Sequence, residues 1–100
     1  MQDFIADLFV RPENDARALE PFYIAIRAPV LVKDEPDGWV SAECRFFCSA
    51  MAQPGWVDGA TPELARQNAV RLIVRMLTKK GLVPVNADGE PVDLFEKAAV

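Results

Sequence analysis

The sequence contains no histidine, only two cysteines and no long apolar segment among its 100 residues. Without histidine, neither a Ser-His-Asp nor a Cys-His catalytic arrangement can form, and the commonest general base of enzymes is missing. Gly38, Gly55, Gly59 and Gly81 are not spaced as in a loop that binds phosphate. These absences argue against an enzyme and against a bound cofactor.

Targeting and membrane signals are also missing. No apolar run approaches the roughly 20 residues that a transmembrane helix needs, and the segment from Met1 to Phe4 lacks the basic region of a secretory signal. Cys44 and Cys48 lie about 13 Å apart if their segment is a strand, whereas a disulfide needs Cα atoms within about 7 Å. We therefore expect a cytoplasmic protein with two free, buried thiols and no metal site.

The composition is that of one folded domain covering residues 1–100, with 51% hydrophobic and 26% charged residues. The formal net charge of −4 is unevenly distributed. Residues 61–80 carry five basic side chains and one acidic side chain, whereas the remainder is strongly acidic. This distribution argues against wholesale binding of phosphates and is compatible with docking on a charged protein partner.

A long helix is predicted from Thr61 to Gly81. Thr61 is a favourable N-cap, Pro62 suits the first helical position, and Gly81 can adopt the left-handed conformation that ends a helix. Apolar residues recur at helical spacing and form one stripe: Ala65, Ala69, Leu72, Ile73, Met76 and Leu77. We expect this stripe to be buried against the rest of the chain.

Two segments before the helix have the period of a β-strand. Residues 22–28 and 39–48 alternate apolar and polar side chains, and an Asp-Gly pair just before the second segment predicts a hairpin turn. Residues 50–52 can add a short third strand. The predicted fold class is therefore α+β, with a small antiparallel sheet of two to three strands packed on one long helix in the C-terminal half of the chain.

The core of this fold is predicted to span residues 22–81, and the two ends are less regular. Residues 1–21 are predicted to hold a short N-terminal helix or an arm, followed by a polar loop; a strand over residues 2–10 is an equal alternative. Residues 82–100 are predicted to form a C-terminal tail or a loose hairpin, because an Asp-Gly pair there lies between two prolines.

Three aromatic residues are candidate partner contacts. Trp39 and Phe47 lie on the outward side of the second predicted strand, and Trp56 follows it. Exposed aromatic side chains are typical anchors of protein interfaces. Either these residues form such a surface or residues 2–10 fold over them.

A second candidate is the basic column formed by Arg71, Arg75 and Lys79, which are spaced i, i+4 and i+8 on one helical face. Like charges at this spacing repel by a few tenths of a kcal/mol, so the pattern has a small cost. Two interpretations are open. The column is either a docking strip for an acidic surface or a phosphate backbone, or a solvated outer face of the helix.

Three stretches of the chain resemble the HicB-type antitoxin domain. They are the strand at residues 22–26, the Asp-Gly-Trp-Val segment at 37–40, and the helix entry Gly-Ala-Thr-Pro-Glu-Leu-Ala at 59–65 with Asn-Ala at 68–69. The resemblance covers residues 22–80 and implies a reduced ribonuclease-H-like αβ domain, usually a dimer, that binds and silences a small RNA-cleaving toxin. The DNA-binding segment that many members carry after the helix is not present.

The order of strands followed by a helix is also similar to the end of a double-stranded-RNA-binding domain. Those domains hold phosphates with lysines at the start of the last helix, where this chain has Pro62, Glu63 and Leu64. Binding of nucleic acid through this helix start is therefore not expected.

The leading functional hypothesis is a non-catalytic protein-binding module that inhibits or masks a nucleic-acid-handling partner, such as a toxin ribonuclease, either as a monomer or as a homodimer. A phage-encoded inhibitor of a bacterial defence system, an anti-CRISPR-like protein, would present the same small acidic chain. The alternative from a different class is a nucleic-acid-binding domain that uses the basic column.

Overall fold

The computed structural model describes residues 1–34 and 38–99, with all side chains in these ranges except those of residues 34 and 39. Within them the chain forms six strands and two helices, in the order β1 (Phe4–Pro12), β2 (Glu20–Ile26), β3 (Val30–Asp34), β4 (Trp39–Cys48), β5 (Gly55–Gly59), α1 (Pro62–Lys79), β6 (Leu82–Val85) and α2 (Leu94–Lys97). Neither of these helices is long and apolar enough to cross a lipid bilayer.

These strands form one antiparallel sheet in which β4 has three neighbours. β5 pairs along one edge of β4, and both β2 and β3 pair along the other. β2 pairs with the C-terminal end of β4 through Ile24 and Cys48, whereas β3 pairs with its N-terminal half through Leu31 and Ala42. Beyond β2, the sheet continues to β1 and then to β6.

Helix α1 lies across one face of the sheet. The Thr61 hydroxyl accepts a hydrogen bond from the Leu64 backbone N–H at 3.2 Å, and Gly81 follows the helix with a φ of 68°, so both predicted caps are confirmed. Of the predicted stripe, Leu72 and Met76 are only half-buried. The principal buried residues between the sheet and α1 are Phe22, Ile24, Ile26, Ala42, Cys44, Phe46, Cys48, Ala65, Ala69, Val70, Ile73 and Leu77.

The predicted sheet of two to three strands is wrong, because residues outside the predicted core join it. Residues 4–12 form β1 between β2 and β6, so the short N-terminal helix is wrong and the strand alternative is right. An interior strand carries apolar side chains on both faces, and the spacing of Phe4, Ile5, Leu8 and Phe9 therefore imitates an amphipathic helix.

The strand after β4 begins five residues later than predicted. Residues 50–52 belong to the connection between β4 and β5. The inward positions of β5 are Gly55, Val57 and Gly59, so the strand has little apolar alternation by which to recognise it. Because glycine has no side chain, Gly59 lets α1 lie close to β5. A β-carbon at this position would stand 2.3 Å from the Ala65 backbone nitrogen.

Residues 82–100 are more than a tail or a loose hairpin. As in the hairpin alternative, Val85 and Pro91 form an antiparallel bridge. In addition, β6 pairs with β1, and α2 is anchored by Leu94 and Ala98, which are both buried. The pairing of β6 with a strand at the other end of the chain has no local signal, so the periodicity of the sequence does not reveal it.

Candidate functional site

The face of the sheet that points away from α1 carries a row of apolar side chains. Residues paired across antiparallel strands share a face, so the register places Ile5 beside Ala25 and Ala25 beside Phe47. Tyr23 lies two residues along β2 from this row, and Trp56 on β5 lies on the same side. We call Ile5, Tyr23, Ala25, Phe47 and Trp56 the open face.

The open face leaves large apolar side chains in contact with solvent. Ile5 is 56% exposed, Trp56 is 60% exposed and Tyr23 is 38% exposed. The rings of Tyr23 and Phe47 lie 6.5 Å apart between centroids, with a tilt of 49° between their planes. A cluster of exposed apolar side chains on one face, rather than single ones scattered over a surface, marks an interaction site.

A cleft of about 630 Å³ opens on this face near the break between β2 and β3. Pro29 lies in that break, where it cannot donate a ladder hydrogen bond to β4. The apolar lining includes Ala25, Val30, Phe47 and Pro54. The volume is in the range of pockets that accept a large side chain or a small molecule.

Two ion pairs line the cleft. Arg27 Nε lies 3.2 Å from Asp3 Oδ2, and Arg45 Nε lies 3.2 Å from Glu43 Oε1. The two arginine side chains are 66% and 75% exposed, so these pairs contribute little to stability. Their effect is to present both signs of charge around an apolar floor.

The charges on this side of the sheet are acidic on balance. Asp7 pairs with Tyr23 across β1 and β2, and Asp58 pairs with Glu43 across β4 and β5, so both aspartates lie on the side of the open face. With the two ion pairs and with Arg11, which lies farther along β1 on the same side, the described strands carry four acidic and three basic side chains here, a net charge of −1. Such a surface repels phosphate and attracts a basic protein surface.

Two of the three predicted aromatic contacts belong to the open face. Phe47 is half-buried and points outward as predicted, and Trp56 is exposed. The side chain of Trp39 lies outside the described part of the structure. The alternative that residues 2–10 fold over the aromatics is wrong, because β1 lies within the sheet and adds Ile5 to the same face.

The basic column lies on the opposite side of the molecule. Arg71, Arg75 and Lys79 are exposed on the surface of α1 that points away from the sheet. Arg71 Nη1 donates a hydrogen bond to Asn68 Oδ1 at 2.8 Å. The structure therefore does not bring the aromatic and the basic candidates together in one site.

Sequence reasoning misses Ile5 and the cleft. A strand places Ile5, Asp7 and Phe9 on one side, and this two-residue spacing is the available signal for Ile5. The same segment also fits a helix, and under that interpretation the three residues do not share a side. The cleft has no sequence signal, because it forms where the connection at Pro54 meets the break between β2 and β3.

The prediction of two free, buried thiols is confirmed. Burial raises the pKa of Cys44 and of Cys48 above the ordinary value of 9.0, and the positive charges of Arg66 near Cys44 and Lys80 near Cys48 oppose this shift only in part. A protonated, buried thiol is a poor nucleophile. Within residues 1–34 and 38–99, no three His, Cys, Asp or Glu side chains come together as metal ligands.

The raised thiol pKa values predict a loss of stability at alkaline pH. Above pH 9.0 the unfolded chain releases the thiol protons before the folded chain does, so the free energy of unfolding falls as pH rises toward the folded pKa. The slope approaches at most about 1.4 kcal/mol per pH unit for each thiol.

Urea denaturation at increasing pH, with reductant present, tests this loss. The double variant Cys44→Ala, Cys48→Ala should lose stability less steeply above pH 9.0 than the natural chain. Because the two proteins differ only at these two thiols, equal slopes would contradict the assignment to the thiols.

Comparison with models of known protein families, with curated proteins and with solved structures gives no match to this chain. The resemblance of residues 22–80 to HicB-type antitoxins stays a prediction, and function is argued below from the site.

Proposed function

We propose that this chain is a non-catalytic protein-binding module and that its partner binds on the open face. The observation that carries the proposal is the exposed apolar row at the centre of the sheet, with a cleft beside it. Trp56, Tyr23 and Ile5 supply anchor side chains of the kind that dominate binding energy, and the surrounding ion pairs supply a polar rim.

The charge of this face favours one class of partner. A net charge of −1 on this side and of −4 on the whole chain opposes binding of DNA or RNA and favours a basic protein surface. Proteins that handle nucleic acid carry basic surfaces for that purpose. The chain thus inhibits or masks such a partner by covering a surface that otherwise binds phosphates.

Two biological settings fit this action. An antitoxin that silences an RNA-cleaving toxin is supported by the resemblance over residues 22–80. A phage-encoded, anti-CRISPR-like inhibitor of a bacterial defence protein would use the same acidic, apolar surface. The identity of the captured partner distinguishes them: a small ribonuclease supports the first, and a defence nuclease or its guide complex supports the second.

The test is to capture the partner from the native cell and then measure its affinity for variants. Trp56→Ala should weaken binding by about tenfold to 100-fold, as expected for an exposed aromatic anchor of an interface. Phe95→Ala is the matched control: Phe95 is also an exposed aromatic residue, at 40%, but it lies on α2. Its affinity should stay within about twofold of the natural chain.

Two results would contradict the proposal. One is a partner whose affinity responds to Phe95→Ala but not to Trp56→Ala. The other is a shift of duplex DNA or RNA that is lost in the triple variant Arg71→Ala, Arg75→Ala, Lys79→Ala, since that outcome assigns function to the basic column and to nucleic acid.

A further inference from the structure

The hairpin of β3 and the N-terminal half of β4 is apolar on both of its faces. Val30 is 64% exposed, Leu31 is 62% exposed and Val40 is 51% exposed. Because adjacent residues of a strand point to opposite faces, the exposure of Val30 and Leu31 shows that neither face of β3 is covered by the described chain. Val40 lies on the same side of β4 as the buried Ala42 but is not itself buried. β5 supports β4 only from Ala42 onward, so the end of the ribbon beyond Ala42 has two strands and exposes aliphatic side chains.

Strand β3 also has an edge along which no other strand pairs within residues 1–34 and 38–99. In the part of the chain that the structure describes, β3 pairs only with β4. Ala42 of β4 pairs with both Leu31 and Gly59, so β3 and β5 lie on opposite edges of β4, and the other edge of β3 points away from β5. Backbone N–H and C=O groups along such an edge are suited to pair with another strand.

We infer that β3 pairs in an antiparallel manner with β3 of a second copy of this chain, across a two-fold axis. The sequence Val30-Leu31-Val32 reads the same in both directions. When the axis lies between the two copies of Leu31 (Leu31 on the axis), these two residues stand opposite each other. Each Val30 then stands opposite Val32 of the other copy. Aliphatic pairs of this kind stabilise a sheet, and the backbone groups along the edge of β3 gain hydrogen-bond partners.

The neighbouring registers are less favourable. A two-fold axis perpendicular to the sheet runs midway between the two strands. It must lie between one residue and the same residue of the other copy, because paired side chains point to the same face. With Val30 on the axis, Lys33 stands opposite Arg27; with Lys33 on the axis, it stands opposite its own counterpart, so like charges meet in both cases. With Val32 on the axis, Lys33 stands opposite Leu31. Placing Leu31 on the axis avoids these pairings.

This dimer uses the edge of β3 rather than the open face, although Val30 also lines the cleft, and salt distinguishes the two interactions. Two copies that each carry a net charge of −4 repel, so higher ionic strength should strengthen the dimer. Docking of a basic partner on an acidic face should instead weaken as salt rises. Failure of either interaction therefore leaves the other testable.

The first experiment measures mass in solution by light scattering over a range of protein concentrations. The natural chain should approach about twice its 11.1 kDa at high concentration. Leu31→Lys should stay monomeric, since it places two charges on the axis, and its circular dichroism should be unchanged because the residue is exposed. Trp56→Lys on β5 is the control and should still dimerise. A natural chain that stays monomeric at every concentration, or a Leu31→Lys variant that dimerises, would overturn the inference.

The second experiment tests the register. Opposed residues on antiparallel strands have Cα atoms about 4.5 to 5.5 Å apart, which suits a disulfide, so Leu31→Cys should form a covalent dimer under mild oxidation. In the same register the two Val30 residues are offset by about 7 Å along the strands as well as separated across them, so Val30→Cys should not. Equal cross-linking of both variants would overturn the proposed register.

Discussion

Replacing Gly59 with alanine is expected to lower the free energy of unfolding by about 3 kcal/mol, at the upper end of the cost of overpacking a core. A β-carbon at this position would stand 2.3 Å from the Ala65 backbone nitrogen, 2.7 Å from the Ala65 Cα and 2.7 Å from the Leu64 carbonyl carbon. These are backbone atoms of the first turn of α1, so no side-chain rotation relieves the overlap. Either the helix moves away from β5 or β5 moves away from β4.

Gly55 offers a matched control on the same strand and the same face. A β-carbon there would approach Met51 Cε at 3.1 Å and Phe46 Cζ at 3.4 Å, which are both ends of side chains that can shift. Neither Gly55 nor Gly59 has a positive φ, so the two alanine variants differ in the atoms that they meet and not in backbone strain. Gly55→Ala should cost less than about 1 kcal/mol. Urea denaturation of both variants checks this, and equal losses would show that α1 does not constrain β5.

Replacing Arg66 with methionine is expected to raise the free energy of unfolding by about 1 to 2 kcal/mol, even though it removes a charged hydrogen bond donor. Arg66 lies on the buried side of α1 and is 2% exposed. Its Nη2 donates to the Gln2 backbone carbonyl, whereas Nε and Nη1 find no hydrogen-bond partner among the described residues. Burial lowers the pKa of Arg66, because the guanidinium loses hydration that its neighbours do not fully replace.

Two further variants separate charge from packing at this position. Arg66→Lys keeps a buried charge without the planar guanidinium, so it should be less stable than Arg66→Met. Arg66→Ala removes the charge but leaves a cavity, so it should also be less stable than Arg66→Met. Chemical denaturation ranks the three. A methionine variant that is less stable than the natural chain by more than about 1 kcal/mol would show that the contact with Gln2 outweighs the cost of desolvation.

The Arg66 series also bears on the open face. Gln2 and Asp3 directly precede β1, the strand that carries Ile5, and Asp3 pairs with Arg27 at the cleft. If Arg66→Met stabilises the fold but weakens partner binding, the buried arginine serves to position the start of β1. If partner binding is unchanged, its contact with Gln2 is structural alone.

Helix α1 and strand β4 can be predicted because their signals are local, whereas the predicted hairpin turn at Asp37 lies outside the described residues. The Thr61 cap, Pro62 and Gly81 act within a few residues of the helix ends, and the alternation along residues 39–48 matches β4 from its first to its last residue. The candidate site is accessible to the same reasoning only in part. The outward position of Phe47 is predicted because it lies on a strand with clear alternation, whereas Ile5 lies in a segment that fits a helix equally well.

Local signals in the chain are enough to place α1 with both of its ends, to place β4, and to predict two free, buried cysteines. The assembled sheet is needed to show that residues 4–12 are an interior strand, that β6 pairs with it from the far end of the chain, and that one face stays open. The physical reason is that strand pairing joins residues distant along the chain. Its outcome depends on the free energy of the whole sheet rather than on the preferences of any one segment.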